Sequence, residues 1–444
     1  MRLKKTGHLL FLLKSVALLL LLPAVPAVFF NSACSPKQEL KSVVADTLEP
    51  DSSQITILSQ NTMLIPFGIA APDYVKRTGI LAEVLSAGEF DIVGLQEVFA
   101  DKSQNCILEA WHRKIISGSE GIWQPISSAK EVSELTAAKN RFDIKIIDAR
   151  PNEKSAKISF GPYYVLGPDA GDCNIFKQDS GLLILSRFPI IAASAFSFSD
   201  ARGSDRLANK GVVYARIKMG PANDDYIHFF STHFQSHGYS ETRFKNLKEL
   251  LRFVSNIIVD DLGGMQASGI HPIIMVGDFN IKAGMPDGWI KKAGIISAPM
   301  GHKMPDDANT ALNTSADYIE FMKYLQSFSE SFILEHSDEF ISEDGAQKDL
   351  LYFKDLWQDL YPDDPGFTWI GKNWKTGVQN PYGADGNLYA VESGPPERID
   401  YVVFYKGTNT LQLNPTSINL FSNDSSGLQV SDHLGLVSDF DRQN

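Results

Sequence analysis

The sequence predicts one α/β domain. Seven apolar or alternating runs have strand length, amphipathic helical segments lie between them, and no internal repeat appears. The strand-like runs are residues 55–59, 91–95, 181–186, 211–217, 226–232, 272–277 and 399–404. Residues 241–259 place Phe244, Leu247, Leu251, Val254 and Ile258 on one helical face, and 74–85 reads as a shorter helix. Two stretches, 112–160 and 284–350, exceed an ordinary connection and read as insertions near the mouth of the site. The second holds a helix over 316–327.

The N-terminus reads as a targeting segment. Arg2, Lys4 and Lys5 precede an apolar stretch from Leu9 to Leu22, then Pro23, Pro26 and small residues before Cys34. This is the pattern of an export signal over residues 1–33, with an apolar core too short to span a bilayer comfortably. Ser32-Ala33-Cys34 resembles a bacterial lipoprotein signal with Cys34 as the first mature residue, although Asn31 stands where an aliphatic residue is usual. The expected product is exported, as an anchored lipoprotein or a secreted or periplasmic protein. Residues 35–53 are polar and read as a flexible tether to a domain over 54–440. With Cys34 lipidated or removed, Cys106 and Cys173 remain, either as a disulfide or as two thiols.

The formal net charge is −12, and removing the four positive charges of residues 1–33 leaves the rest at −16. Such a body disfavours a nucleic-acid partner, because duplex binding needs Lys and Arg against phosphates. Nothing indicates a protein partner, and a monomer is expected.

The chemistry sits in short polar motifs that follow the apolar runs. Residues 272–280 form a buried strand, a glycine turn, and then Asp278 and Asn280, two residues apart and able to point the same way. They can hold an attacking water and a phosphoryl oxygen. Residues 91–98 repeat this design and deliver Glu97, a carboxylate that is costly there unless paired or metal-bound. Hard oxygen ligands of this kind suit Mg²⁺, with Mn²⁺ or Co²⁺ as substitutes. Asn61, after the first strand, is placed to be a second oxygen ligand. Ser431-Asp432-His433 offers a general base in His433, which needs an orienting partner; Asp400 is the candidate, and Asp432 can help hold metal or substrate. His233, ending another strand, can donate a proton to a leaving oxygen or bind phosphate.

These residues, in this order, resemble the endonuclease/exonuclease/phosphatase superfamily, whose members are similar to DNase I in fold. The resemblance implies a four-layer α/β sandwich of two packed mixed sheets flanked by helices, with Mg²⁺-dependent phosphoric ester hydrolysis. It implies metal binding by Glu97 and Asn61, a water aligned by Asp278, phosphate held by Asn280, and His433 with Asp400 as the base. His233 would be acid or phosphate contact, and Asp432 would support metal or leaving group. Residues 180–190, 209–215 and 231–235 are more similar to neutral sphingomyelinases, which implies sphingomyelin at a membrane surface as substrate and makes Lys210 a phosphate contact. Secreted bacterial sphingomyelinases often carry an aromatic hairpin between the last two motifs, whereas residues 406–430 hold one aromatic, Phe421. The segment 369–389, with Trp374 and Tyr382, is the alternative. Competing readings are an exported nuclease, a phosphoinositide-type phosphatase, which would want a Lys/Arg cluster, and a non-catalytic surface module, which would lack the catalytic groups.

Overall fold

The computed structural model describes residues 53–66, 74–120, 145–146, 159–161, 163–168, 178–220, 222, 224–236, 238–264, 269–285, 313–336, 352–362, 364–369, 397–408, 411–421 and 430–443. The export segment, the tether, Cys34, Cys173 and residues 370–396 lie outside them. Among the described residues no helix is long and apolar enough to cross a membrane.

In chain order the elements are β1 (Gln54–Asn61), α1 (Tyr74–Ala87), β2 (Ile92–Gln96), α2 (Asp101–Glu120), β3 (Lys145–Ile146), β4 (Ser159–Gly161), β5 (Tyr164–Leu166), β6 (Leu183–Ser186) and β7 (Ile190–Ser197). There follow β8 (Gly211–Lys218), β9 (Tyr226–His233), α3 (Ser240–Gly264), β10 (Ile273–Asp278), β11 (Gly284–Met285), β12 (Asn313–Thr314), α4 (Ala316–His336), β13 (Lys354–Asp355) and α5 (Leu356–Leu360). The chain closes with β14 (Asp400–Tyr405), β15 (Gln412–Phe421) and β16 (Gly435–Gln443).

Two seven-stranded mixed sheets result, ordered β15-β16-β1-β2-β6-β5-β4 and β13-β14-β10-β9-β8-β7-β3. Side-chain alternation explains why they stack. Ile57, Ile92, Ile184, Phe229, Ile274 and Val276 point into one apolar layer between the sheets. Their neighbours point outward: Leu58, Val93 and Leu95 meet Leu81 and Leu85 of α1 and Ile107 and Trp111 of α2. On the far side Phe230, Met275 and Val403 meet Leu247, Leu251 and Val254 of α3 and Phe321 and Leu325 of α4. Strands buried on both faces read as nearly continuous apolar runs for this reason, and the expected four-layer sandwich is what forms.

The insertion boundaries need correction. Residues 112–120 continue α2, and Trp111 donates its indole N–H to the Ser186 carbonyl at 3.1 Å. Residues 145–146 and 159–161 add edge strands to the two sheets. Likewise α4 runs nine residues past the expected 327, and Tyr318, Phe321 and Leu325 pack it into the outer helical layer. Ile115 of α2 and the buried face of α4 pack into the helical layers that flank the sheets. Residues 121–144, 147–158, 286–312 and 337–351 lie outside the described residues. The domain also extends past 440, since β16 ends at Gln443 and pairs with both β1 and β15.

Candidate active site

Two parallel strand pairs aim their C-terminal ends at one point. In the first sheet β1 and β2 run parallel, with Asn61 opposite Gln96. In the second, β9 and β10 run parallel, with His233 opposite Asp278, while β14 runs antiparallel and sets Asp400 opposite Asp278. The register therefore places His233, Asp278 and Asp400 side by side, and stacking brings Asn61 and Glu97 across from them. Asn61 Nδ2 lies 3.1 Å from Glu97 Oε1 and 3.0 Å from Asp278 Oδ2, donating to both. Its own Oδ1 accepts from Met63 N at 3.1 Å.

The three non-glycine residues with positive φ among the described residues are Met63 (49°), Glu97 (59°) and Asn280 (52°). Each lies just past the end of a site-bearing strand. Left-handed backbone at a bulky residue is costly, so its concentration here marks a site held by its surroundings. Gly277, at φ 142°, allows β10 to approach β9: a Cβ there would lie 2.0 Å from the Thr232 carbonyl oxygen. Asp278 Oδ1 then accepts from Asn280 N at 2.8 Å, and Asn280 Nδ2 donates to the Phe234 carbonyl at 3.2 Å.

His433 precedes β16 and reaches the same point. Its Nδ1 donates to Asp400 Oδ2 at 2.7 Å, and its Nε2 faces Asp278 Oδ2 at 3.9 Å. Burial alone would disfavour the imidazolium, but Asp400 above all, then Asp278 and Asp432, push His433 up to about 10. Asp278 is pushed up to about 7 by burial and by Asp400. Glu97 is raised by burial and by the charge of Asp432, which places Asp432 in the same field.

His233 takes a narrower role than expected. The Lys210 ammonium, which can only donate, lies 2.8 Å from His233 Nε2, so that nitrogen is the acceptor. Burial, then Lys210, hold His233 well below its ordinary value. In this arrangement His233 is a neutral imidazole whose Nε2 accepts from Lys210. Lys210 is corrected as well. It is 7% exposed, donates also to the Phe234 carbonyl at 2.8 Å, and pairs with Asp205 Oδ2 at 2.9 Å. These three contacts place it behind His233, as a charge that orients the imidazole.

Several positioning groups escaped the sequence reading. Arg77 of α1 donates to the carbonyls of Thr62, Met63 and Val430, tying the loop after β1 to the loop before β16. Ser431 Oγ donates to the Asn61 carbonyl at 2.6 Å and accepts from His433 N at 3.1 Å. Thr368 Oγ1 accepts from Asp400 N at 3.1 Å, and Asp205 anchors Lys210. Ser431 opens the Ser-Asp-His motif, but the partners of the others are remote in sequence.

The donor set fits a divalent cation. Glu97, His233 and Asp278 converge closely enough to share one ion. The buried carboxylates Glu97 and Asp278 are both pushed toward protonation, so a cation beside them would relieve an excess of negative charge. The carboxylate oxygens of Glu97 and Asp278 suit a hard ion such as Mg²⁺, and Asn61, which turns its Nδ2 to both, would add its Oδ1 on rotating its carboxamide.

Fold and pocket together define a two-sheet α/β sandwich with an acid–amide–imidazole centre at its strand ends. The chain belongs to the endonuclease/exonuclease/phosphatase family, whose profile matches residues 68–433. A sphingomyelinase of Dictyostelium discoideum is 38% identical over 90 residues, 19% of each chain. Sphingomyelinase C of Bacillus cereus is 24% identical over 226 residues, covering 48% of this chain and 56% of that protein. The match thus spans about a fifth of the Dictyostelium sphingomyelinase and little more than half of sphingomyelinase C. Among solved structures, sphingomyelinase C from Streptomyces griseocarneus is 16% identical, with a TM-score of 0.40, over 87% of this chain and 99% of that one. A mutant beta toxin from Staphylococcus aureus with bound magnesium ions is 15% identical, with a TM-score of 0.41, over 87% and 99%.

Proposed function

We propose that the chain is an exported phosphoric diester hydrolase acting on a phospholipid headgroup, and that sphingomyelin is its substrate, cleaved to ceramide and phosphocholine at a membrane surface. The observation that carries the hydrolytic reading is the His433–Asp400 pair facing Asp278 across 3.9 Å, with Asn61 and Glu97 alongside. The substrate reading draws support from the sphingomyelinases among the relatives. Export, and anchoring through Cys34, rest on the N-terminal residues.

In this reading a water sits between Asp278 Oδ2 and His433 Nε2. Its oxygen forms a bond to phosphorus as the bond from phosphorus to the lipid oxygen breaks. Asp278 orients the water, His433 Nε2 takes its proton, and Asp400 stabilises the imidazolium through Nδ1–H. The lipid alkoxide is reprotonated from water. Asn280, and His233 steadied by Lys210, line the phosphate position. Mg²⁺ held by Glu97 and Asn61, with Asp432 nearby, would neutralise the carboxylates that keep His433 protonated and draw charge from a phosphoryl oxygen.

The test is phosphocholine release from sphingomyelin vesicles by the purified protein, with Mg²⁺ or with EDTA, beside plasmid DNA. Release with Mg²⁺, loss with EDTA and intact DNA are expected. DNA cleavage with untouched lipid would make the protein a nuclease. Asp278→Ala and His433→Ala are each expected to abolish turnover with an unchanged circular dichroism spectrum, and full activity in either would overturn the mechanism.

A further inference from the structure

A second cluster of ligating side chains lies at the opposite end of the same strands. His228 is the third residue of β9, His271 lies two residues before β10, and Asp261 sits near the end of α3. His228 and His233 are five residues apart on one extended strand, so the cluster is on the order of 17 Å from the catalytic end. All three side chains are buried: His228 is 0% exposed, His271 1% and Asp261 4%.

One hydrogen bond fixes the tautomer of His271. His271 Nε2 meets the Asp224 backbone carbonyl at 2.7 Å. A carbonyl only accepts, so the proton is on Nε2 and Nδ1 carries a lone pair. That Nδ1 has no hydrogen-bond partner and faces Asp261 Oδ2 at 3.7 Å. Asp261 Oδ2 already accepts from Tyr226 Oη and its other oxygen meets Arg216, so His271 Nδ1 is the buried acceptor left without a donor, its lone pair open to a cation. His228 Nε2 also lacks a hydrogen-bond partner and lies 3.4 Å from the same oxygen, while its Nδ1 meets Tyr214 Oη at 2.9 Å.

We propose that His228 Nε2, His271 Nδ1 and Asp261 Oδ2 form a zinc site separate from the catalytic centre, which pins the end of α3 to the starts of β9 and β10. The separations of 3.4 and 3.7 Å are close to the edge of a Zn²⁺ tetrahedron, about 3.3 Å for bonds of about 2.0–2.1 Å. The surroundings supply what metal-bound imidazoles need. The Asp224 carbonyl holds the tautomer of His271, and the Tyr226 ring stacks on His271 at 3.6 Å between centroids. Arg216 pairs with Asp261 and holds the carboxylate in place. Tyr226 Oη donates to Asp261 Oδ2 and steadies that oxygen. Two imidazoles and one carboxylate favour Zn²⁺ over Mg²⁺.

The experiment uses the Asp278→Asn protein, which weakens the catalytic centre and leaves the cluster untouched. After stripping with chelator it is titrated with Zn²⁺, and separately with Co²⁺. The expected result is one tightly held Zn²⁺ per chain, a higher Tm with Zn²⁺, and the visible spectrum of tetrahedral Co²⁺. Adding His271→Gln is expected to remove that equivalent and the Zn²⁺-dependent rise in Tm. No retained Zn²⁺ and no Co²⁺ spectrum in Asp278→Asn would overturn the proposal without any reference to the cluster variant. Zn²⁺ retained equally after His271→Gln would overturn it as well.

Discussion

Asp400→Asn isolates what the carboxylate does for His433. The substitution keeps the size of the side chain and leaves the Asp400 backbone N–H on Thr368 Oγ1. It removes the charge 2.7 Å from His433 Nδ1. The rise of His433 from 6.5 to about 10 is, on the scale of 1.36 kcal/mol per pKa unit, about 5 kcal/mol in favour of the imidazolium. Asp400 is the largest favourable cause of that rise. If roughly half of the effect is present when the proton is partly transferred, the barrier rises by about 2–3 kcal/mol, or about 30–100-fold in kcat. A base must be neutral to act, and without Asp400 the imidazole loses its proton at lower pH. The acidic limb of the kcat–pH profile is therefore expected to move to lower pH while the plateau falls. The assay is phosphocholine release from sphingomyelin vesicles across pH at fixed Mg²⁺. An unchanged plateau, or an acidic limb that stays in place, would refute the pairing argument.

Three further outcomes follow from buried groups. Lys210→Met leaves Asp205 buried without its cation and is expected to destabilise the fold by about 3–5 kcal/mol; Asp205→Asn on that background should recover part of the loss in urea denaturation. Gly277→Ala drives a Cβ to 2.0 Å from the Thr232 carbonyl at φ 142°, and a stability loss above about 3 kcal/mol is expected from denaturant midpoints. His112, on α2, is depressed to about 4 by burial. The unfolded chain binds a proton there below 6.5 and the folded chain does not, so His112 lowers stability as pH falls from about 6.5 to about 4, by up to about 3 kcal/mol. His112→Gln should flatten that part of the stability–pH curve measured by denaturation.

Much of the architecture was legible because strands buried on both faces must be apolar along their length. The runs at 91–95, 226–232 and 272–277 reappear as β2, β9 and β10, each still ending at its polar motif. Of the longer strands outside the expected runs, β7 is almost wholly buried but built largely of small Ala and Ser residues, and two others have a weaker code. β15 lies at the edge of its sheet, carries Pro415 beside a register shift, and buries Leu413 and Ile418 between more exposed neighbours, so it reads as polar loop. β16 was hidden by Ser438, Asp439 and Asp441, whose alternation with Leu436 and Phe440 is only half apolar.

The sequence by itself determined the chemistry available: which carboxylates, carboxamides and imidazoles follow which strands. Strand order, register and sheet stacking decided what each of them does. Asn61 and Asp278 are 217 positions apart and meet at 3.0 Å because two parallel pairs end face to face. His233 became an acceptor, and Lys210 its support, because folding placed the ammonium 2.8 Å from Nε2. The His228–Asp261–His271 cluster left no local signal, since it joins a helix end to two strand starts. Local pattern reports whether a residue is buried and on which face. Partners are chosen by long-range register, which no window of sequence contains.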